Sequence, residues 1–376
     1  MMLKLNKIGN YLFYNCSKLE NIIIPSSVES IGNYSFYGCS NLMNISIKEE
    51  SNLKSIGDYS FYGCSNLINI SIQKQRNLNE IGEHTFYNCS NLERISLYEC
   101  IELKSISIPL TIQYIDDYGF YNCSNLINIS FEEESNLKSI GNYSFYGCSN
   151  LINISIPSLV ESIGDYSFYG CSNLINISIK EESKLNEIGN YSFYGCSNLI
   201  NISIEELLKL TKIGSYTFSD CINLISITLP SELKEISSNL FEECSKLKSI
   251  IILSNISKIN EFSFLNCSNL ECIQYFGTEE PNVNQNAFQG CPILEYIYTN
   301  LTYPNERFGS FEVRKRSKIS DMCSSYLGSS KRSGLKDGEI ACIVVFSFIF
   351  IAIICIILFF TVFRRKKSSN QEENTP

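Results

Sequence analysis

The chain has 376 residues, with 30 Lys and Arg against 39 Asp and Glu, a formal net charge of −9, and 44% hydrophobic residues. That acidic balance argues against nucleic acid as a partner, because phosphate contacts need clustered Lys and Arg. The length would hold two or three ordinary domains, but internal repetition makes one elongated body the expectation.

The first thirty residues, opening "MMLKLNKIGNYLFYNC", contain no unbroken apolar run of signal-peptide length. From there a sentence repeats. Phe-x-x-Cys ends at Cys16, Cys39, Cys64, Cys89, Cys123, Cys148, Cys171, Cys196, Cys221, Cys244, Cys267 and Cys291. The steps are 23 to 25 residues, except for one of 34 between Cys89 and Cys123, where "YECIELKSISI" (Tyr98–Ile108) adds a half-repeat. A period in this range is the signature of a solenoid.

The stretch Ser139–Cys171 shows what one repeat asks for. Leu151-x-x-Ile154-x-Ile156 predicts a short strand with its apolar residues inward and Asn153 and Ser155 outward. Pro157 ends the ladder, and Val160-x-x-Ile163-Gly164 predicts a second short extended piece closed by a glycine turn. Phe168 and Cys171 stand three apart, which predicts a helical turn with both on one side. Phe145, Cys148, Phe168, Cys171, Phe193 and Cys196 are therefore candidate core residues. Twelve of the 17 cysteines share one repeat position, which suits a buried column of thiols acting as small hydrophobes. Stacked thiols are also near enough to pair, so disulfides are the alternative.

The pattern Ile-Gly-x-x-[Ser/Ala]-Phe-x-x-Cys-x-x-Leu-x-x-Ile-x-Ile-Pro resembles the BspA-like leucine-rich repeat, from Ile8 to about Ile297. The resemblance implies an α/β leucine-rich-repeat solenoid of short parallel strands plus helical turns. It also implies surface proteins of bacteria and parasitic protists, linked to adhesion to host matrix or cells. "ISSNLFEEC" (Ile236–Cys244) and "INEFSFLNC" (Ile259–Cys267) depart from the Ile-Gly pair.

Beyond the repeats, "YIYTNLTYPNERFGSFEV" (Tyr296–Val313) reads as a last strand and a closing cap. The expected organisation is a solenoid over 1–300, a cap over 301–317, a flexible Ser- and Gly-rich stalk over 318–339, a transmembrane helix over 340–363 and a short basic cytoplasmic tail over 364–376. The segment 340–363 has 24 residues without a charge, about 36 Å as a helix, enough to cross a hydrocarbon core of about 30 Å. Arg364–Lys367 (RRKK) then favours a cytosolic tail and extracellular repeats, with a plasma-membrane, single-pass topology. A tail-anchored protein with cytosol-facing repeats is the alternative. Cys323 in the stalk is a candidate for an intermolecular bridge.

No enzyme is expected. The single histidine, His84, sits in a column otherwise held by Tyr34, Tyr59 and Tyr143, and reads as a surface ring. Glu49–Glu50, Glu132–Glu134 and Glu181–Glu182 read as solvated turns, and no cofactor or metal is expected. The sequons Asn44-Ile45-Ser46, Asn69-Ile70-Ser71 and Asn153-Ile154-Ser155 belong to the strand pattern, so few of them are expected to carry glycans.

The tyrosines are the candidate ligand-binding residues. One column runs through Tyr34, Tyr59, Tyr143, Tyr166, Tyr191 and Tyr216, and another through Tyr37, Tyr62, Tyr87, Tyr121, Tyr146, Tyr169 and Tyr194. At strand spacing each would be one continuous stripe, suited to protein or glycan, or packed merely to shield the turns. Tyr146, Tyr169 and Tyr194 lead, followed by Tyr296 and Tyr298 on the outward strand face. The expected partners are an extracellular matrix or host-cell protein or glycan, with the lipid bilayer met through 340–363 and no nucleic acid.

Overall fold

The computed structural model describes residues 5–180 and 182–315. They form a β-solenoid of about 13 turns, most of them carrying a longer and a shorter strand. Asn153–Ile156 pairs in parallel with Asn176–Ile179, and Ser162–Ile163 lies between Ser139–Ile140 and Glu187–Ile188. Identical positions meet in register, Ile154 on Ile177 and Ser155 on Ser178. At the far end Phe311–Lys315 pairs in parallel with Tyr296–Thr299 and folds back antiparallel onto Arg307–Phe308.

One apolar core runs through these turns. Leu151, Ile154, Ile156, Val160, Ile163, Phe168 and Cys171 are all buried, and their equivalents recur in each neighbour. A lone repeat could not bury this set, whereas each interior repeat is covered from both sides. The phenylalanines stack directly, Phe145 on Phe168 at 4.9 Å and Phe168 on Phe193 at 5.1 Å between ring centroids.

The expected helical turn is not there. No helix occurs among the described residues, so the α/β expectation is corrected to an all-β solenoid joined by tight turns. The reason lies in the backbone. Tyr166 has φ 55° and Gly170 φ 70°, and two left-handed residues four apart stop a right-handed helix. The amides then alternate. Tyr166, Phe168 and Gly170 N–H donate to Asn190, Ser192 and Tyr194 carbonyls of the next turn at 2.7–2.8 Å. Tyr169 and Cys171 donate back within the turn, to Tyr166 and Phe168. Phe168 and Cys171 still share the inward side, because the consecutive turns keep residues three apart together.

The Ile-Gly pair is required by close stacking. A Cβ on Gly164 would lie 2.7 Å from the Asn142 backbone nitrogen. The next residue carries a side-chain ladder: Asn142 Oδ1 accepts from Asp165 N–H at 2.8 Å, and Asp165 Oδ1 from Asn190 N–H at 2.6 Å. Below it, the buried Ser167 hydroxyl donates to the Gly164 carbonyl at 2.6 Å.

The half-repeat at Tyr98–Ile108 changes the phase of the solenoid. Arg94–Ser96, a long strand by sequence, pairs with the long strand Asn69–Ser71 on one side and the short strand Tyr114–Ile115 on the other. The corner after the long strands follows suit. Glu50 N–H donates to Lys74 O, Lys74 N–H to Tyr98 O, and Glu99 N–H to Tyr121 O. The Phe-x-x-Cys turn of later repeats therefore occupies the corner held earlier by Ile47–Glu50 and Ile72–Gln75. Those corners are separated by a strand in both directions round the turn, so they are opposite ends of the cross-section. The expected transmembrane helix 340–363, stalk 318–339 and tail 364–376 lie outside the described residues, as does Cys323. Among the described residues no helix is long and apolar enough to cross a membrane.

Candidate binding surface

The phase change splits each expected tyrosine stripe in two. Tyr11, Tyr34, Tyr59 and His84 stack in one file, and Tyr14, Tyr37, Tyr62 and Tyr87 in a second beside it. On the opposite corner a longer double file begins. Tyr98, Tyr121, Tyr146, Tyr169 and Tyr194 stack at 4.8–5.3 Å, and Tyr118, Tyr143, Tyr166, Tyr191 and Tyr216 at 4.5–5.0 Å. The files touch, Tyr166 lying 5.8 Å from Tyr169 and Tyr191 5.9 Å from Tyr194. Tyr87 and Tyr121 are thus not consecutive rings. The 34-residue step was the signal, since eleven extra residues are about half a turn.

Tyr146, Tyr169 and Tyr194 are half-buried, with ring faces covered by their neighbours. The surroundings are acidic. The Asp220 carboxylate beside Tyr194, with desolvation, pushes that phenol's pKa up, and desolvation, the stacked neighbouring tyrosines and then the Asp165 charge raise Tyr143 and Tyr166.

The backbone beneath the inner file is unusual. Tyr118, Tyr143, Tyr166, Tyr191 and Tyr216 all have φ between 54° and 59°, a region that costs a non-glycine residue about 1–2 kcal/mol. Four residues on, the chain answers the same demand conventionally, with Asn122, Gly147, Gly170, Gly195 and Asp220. Asn239 and then Phe262 take the tyrosine place in later repeats, and the turn keeps its shape at φ 56° and 57°. The fold thus accepts a cheaper residue there. Stacking returns about 0.5–1.5 kcal/mol per ring pair, enough to offset the backbone cost.

The second candidate region is closed. Tyr298 is only 6% exposed, packed with Cys272 and Phe276, and Arg314 lies 3.3 Å over the Tyr296 ring. Tyr298 is therefore not an available anchor. A feature the sequence reading passed over is an aliphatic ridge beside the outward Asn row, formed by Ile127, Ile152, Ile200 and Ile225, each 36–46% exposed, with Ile175 between them.

Phe145, Cys148, Phe168, Cys171, Phe193 and Cys196 lie fully inside. Each thiol donates to a phenylalanine carbonyl of the turn before, Cys148 to Phe120 at 3.1 Å, Cys171 to Phe145 at 3.2 Å and Cys196 to Phe168 at 3.3 Å. They are unpaired, and burial raises their pKa well above the ordinary thiol value. Such thiols are poor nucleophiles. His84 packs against Tyr59 at 5.0 Å and edge-on to Tyr87 at 5.5 Å. Glu49 pairs with Lys74 at 2.9 Å. Among the described residues no three His, Cys, Asp or Glu are placed to hold a metal ion.

A family model described as the BspA type leucine rich repeat region matches in six copies over residues 6–99, 94–209 and 186–309. The chain belongs to the BspA-type leucine-rich repeat family. Such repeat scaffolds serve protein binding. The BspA-type solenoid is similar to a leucine-rich repeat protein from Bacteroides ovatus, at 26% identity, with 83% of this chain and 88% of that one covered and a TM-score of 0.41. It is similar also to a leucine rich cell surface protein from Faecalibacterium prausnitzii, at 25% identity, covering 78% and 83%, TM-score 0.35. The pneumococcal vaccine antigen PcpA gives 20% identity, 84% and 85% coverage and a TM-score of 0.45. A comparison with curated proteins returned no match.

Proposed function

We propose that this BspA-type protein is a single-pass cell-surface adhesin or displayed antigen whose solenoid faces outward and binds extracellular protein or glycan through its tyrosine files. The observation that carries the binding reading is the contiguous double file of ten rings from Tyr98 to Tyr216, held partly on left-handed backbone where one later repeat has Asn239. Contiguous aromatic surface marks interfaces more reliably than scattered rings. Tyr brings apolar edge and a hydrogen-bonding tip at low side-chain entropy cost. Repetition adds avidity against a repeated or extended ligand. The surface location is supported by the uncharged segment 340–363 followed by four basic residues.

The test of location is antibody against the repeats applied to intact and to permeabilised cells that make the protein. Staining of intact cells is expected. Staining confined to permeabilised cells would put the repeats in the cytosol and overturn the adhesin reading.

A further inference from the structure

The half-repeat does more than interrupt a stripe. It leaves two double files of the same design on opposite corners, one from Tyr11 to Tyr87 and one from Tyr98 to Tyr216. Their separation is built into the strand pairing, because the long strand Arg94–Ser96 hands its place to the short strand Tyr114–Ile115. The first file ends against a different kind of corner. Phe86, Tyr87 and His84 face Ser107, Pro109 and Glu132, which carry no tyrosine. A single docked partner on one corner would leave the other uncovered.

Both files have the same electrostatic setting. Asp58 lies beside Tyr34, and exposed Glu83 precedes His84. In the second block Glu99, Asp165, Asp220 and Glu242 act on the tyrosines. Of the cations beside them, Lys74 near Tyr98 is tied to Glu49 at 2.9 Å and Arg76 to Glu99 at 3.8 Å, which leaves Asp165, Asp220 and Glu242 as the carboxylates without an ion-pair partner among the described residues. The rings recur about 5 Å apart with carboxylates at intervals among them, so each file carries a net negative charge. Their complement is a row of donors carrying positive charge, as on an Arg- or Lys-rich protein segment.

We infer that the protein is bivalent, taking one basic, Arg- or Lys-rich protein segment on each of two oppositely placed tyrosine files, so that one chain bridges two partner molecules. This rests on the proposed reading of the files as binding surfaces. Four or five stacked rings about 5 Å apart span about 15–20 Å, and twelve extended residues span about 40 Å, so one such segment is long enough to cover either file.

The probe is a synthetic peptide of six Arg-Ser repeats, titrated calorimetrically into the full chain at 50 mM and 300 mM salt, with a six-fold Glu-Ser peptide as control. Two Arg-Ser peptides per chain are expected at low salt, with at least tenfold weaker binding at high salt and none for the control. The triple change Tyr34→Ser, Tyr37→Ser, Tyr62→Ser should leave one site, as should Tyr146→Ser, Tyr169→Ser, Tyr194→Ser. Unchanged circular dichroism establishes that each variant is folded. Complete loss from the second triple alone would leave the binding reading standing and sink bivalency. Two sites retained in both variants would remove the tyrosine files from the account altogether.

Discussion

Phe168→Ala is the sharpest probe of how the solenoid is held. The ring is fully buried, stacked between Phe145 at 4.9 Å and Phe193 at 5.1 Å. Truncation leaves a void with a ring on each side, and neither neighbour can close it without breaking its own stack. Such a change costs about 3–5 kcal/mol. Because long repeat arrays unfold piecemeal, the loss is read locally, by amide hydrogen exchange across Ser139–Ile202. At about 1.4 kcal/mol per tenfold, exchange there should accelerate by roughly two to nearly four orders of magnitude. Distant repeats, such as those near Cys267, should change far less. The adjacent Tyr169→Ala removes a half-buried ring and should cost about 1–2 kcal/mol. Equal acceleration in the two variants would refute the inward and outward assignment.

Four further outcomes are expected. Cys148, Cys171 and Cys196 should resist alkylation by iodoacetamide until the protein unfolds, while exposed Cys16 reacts at once; mass spectrometry separates the sites. Burial holds these thiols protonated above their ordinary value of 9.0, so the unfolded chain releases protons first and stability falls as pH rises above about 9, by up to about 1.4 kcal/mol per unit per thiol until the folded value is reached. Gly164→Ala forces a Cβ onto the Asn142 backbone and should cost about 1–3 kcal/mol, whereas Gly170→Asn, at φ 70° in open space, should cost a few tenths in chemical denaturation. Deleting Tyr98–Ile108 restores a 23-residue step and joins Leu97 to Pro109 as Ile156 joins Pro157, so the protein should fold with one continuous stripe; photochemical dityrosine linkage of Tyr87 to Tyr121 should then appear, and be absent in the parent chain.

The inward set was legible in the sequence because it repeats. Ile154, Phe168 and Cys171 are apolar in every turn, and a strand's period of two leaves little choice of face. The turn between them was not legible. Phe and Cys three apart fit a helix or consecutive tight turns alike, and the deciding feature, a tyrosine at φ 55° at Tyr166, is one that residue preferences argue against. The tyrosine columns were visible as columns, but joining Tyr87 to Tyr121 needed a constant phase. That phase is set by hydrogen bonds between turns, such as Glu99 to Tyr121, which no single repeat reveals. Tyr298 looked outward by alternation and proved buried against Cys272 and Phe276, a contact formed by neighbouring turns.

The claim that the tyrosine files bind is tested most directly by adhesion of the full chain to cultured host cells and to a panel of purified extracellular-matrix proteins. The parent chain is compared with a variant carrying Ser at Tyr146, Tyr169 and Tyr194 and with one carrying Ser at all six positions tested in the calorimetry. Binding should fall at least tenfold in the triple variant and be lost in the sixfold one, with circular dichroism unchanged. Full binding by the folded sixfold variant would contradict the account and move the search to the ridge Ile127–Ile225.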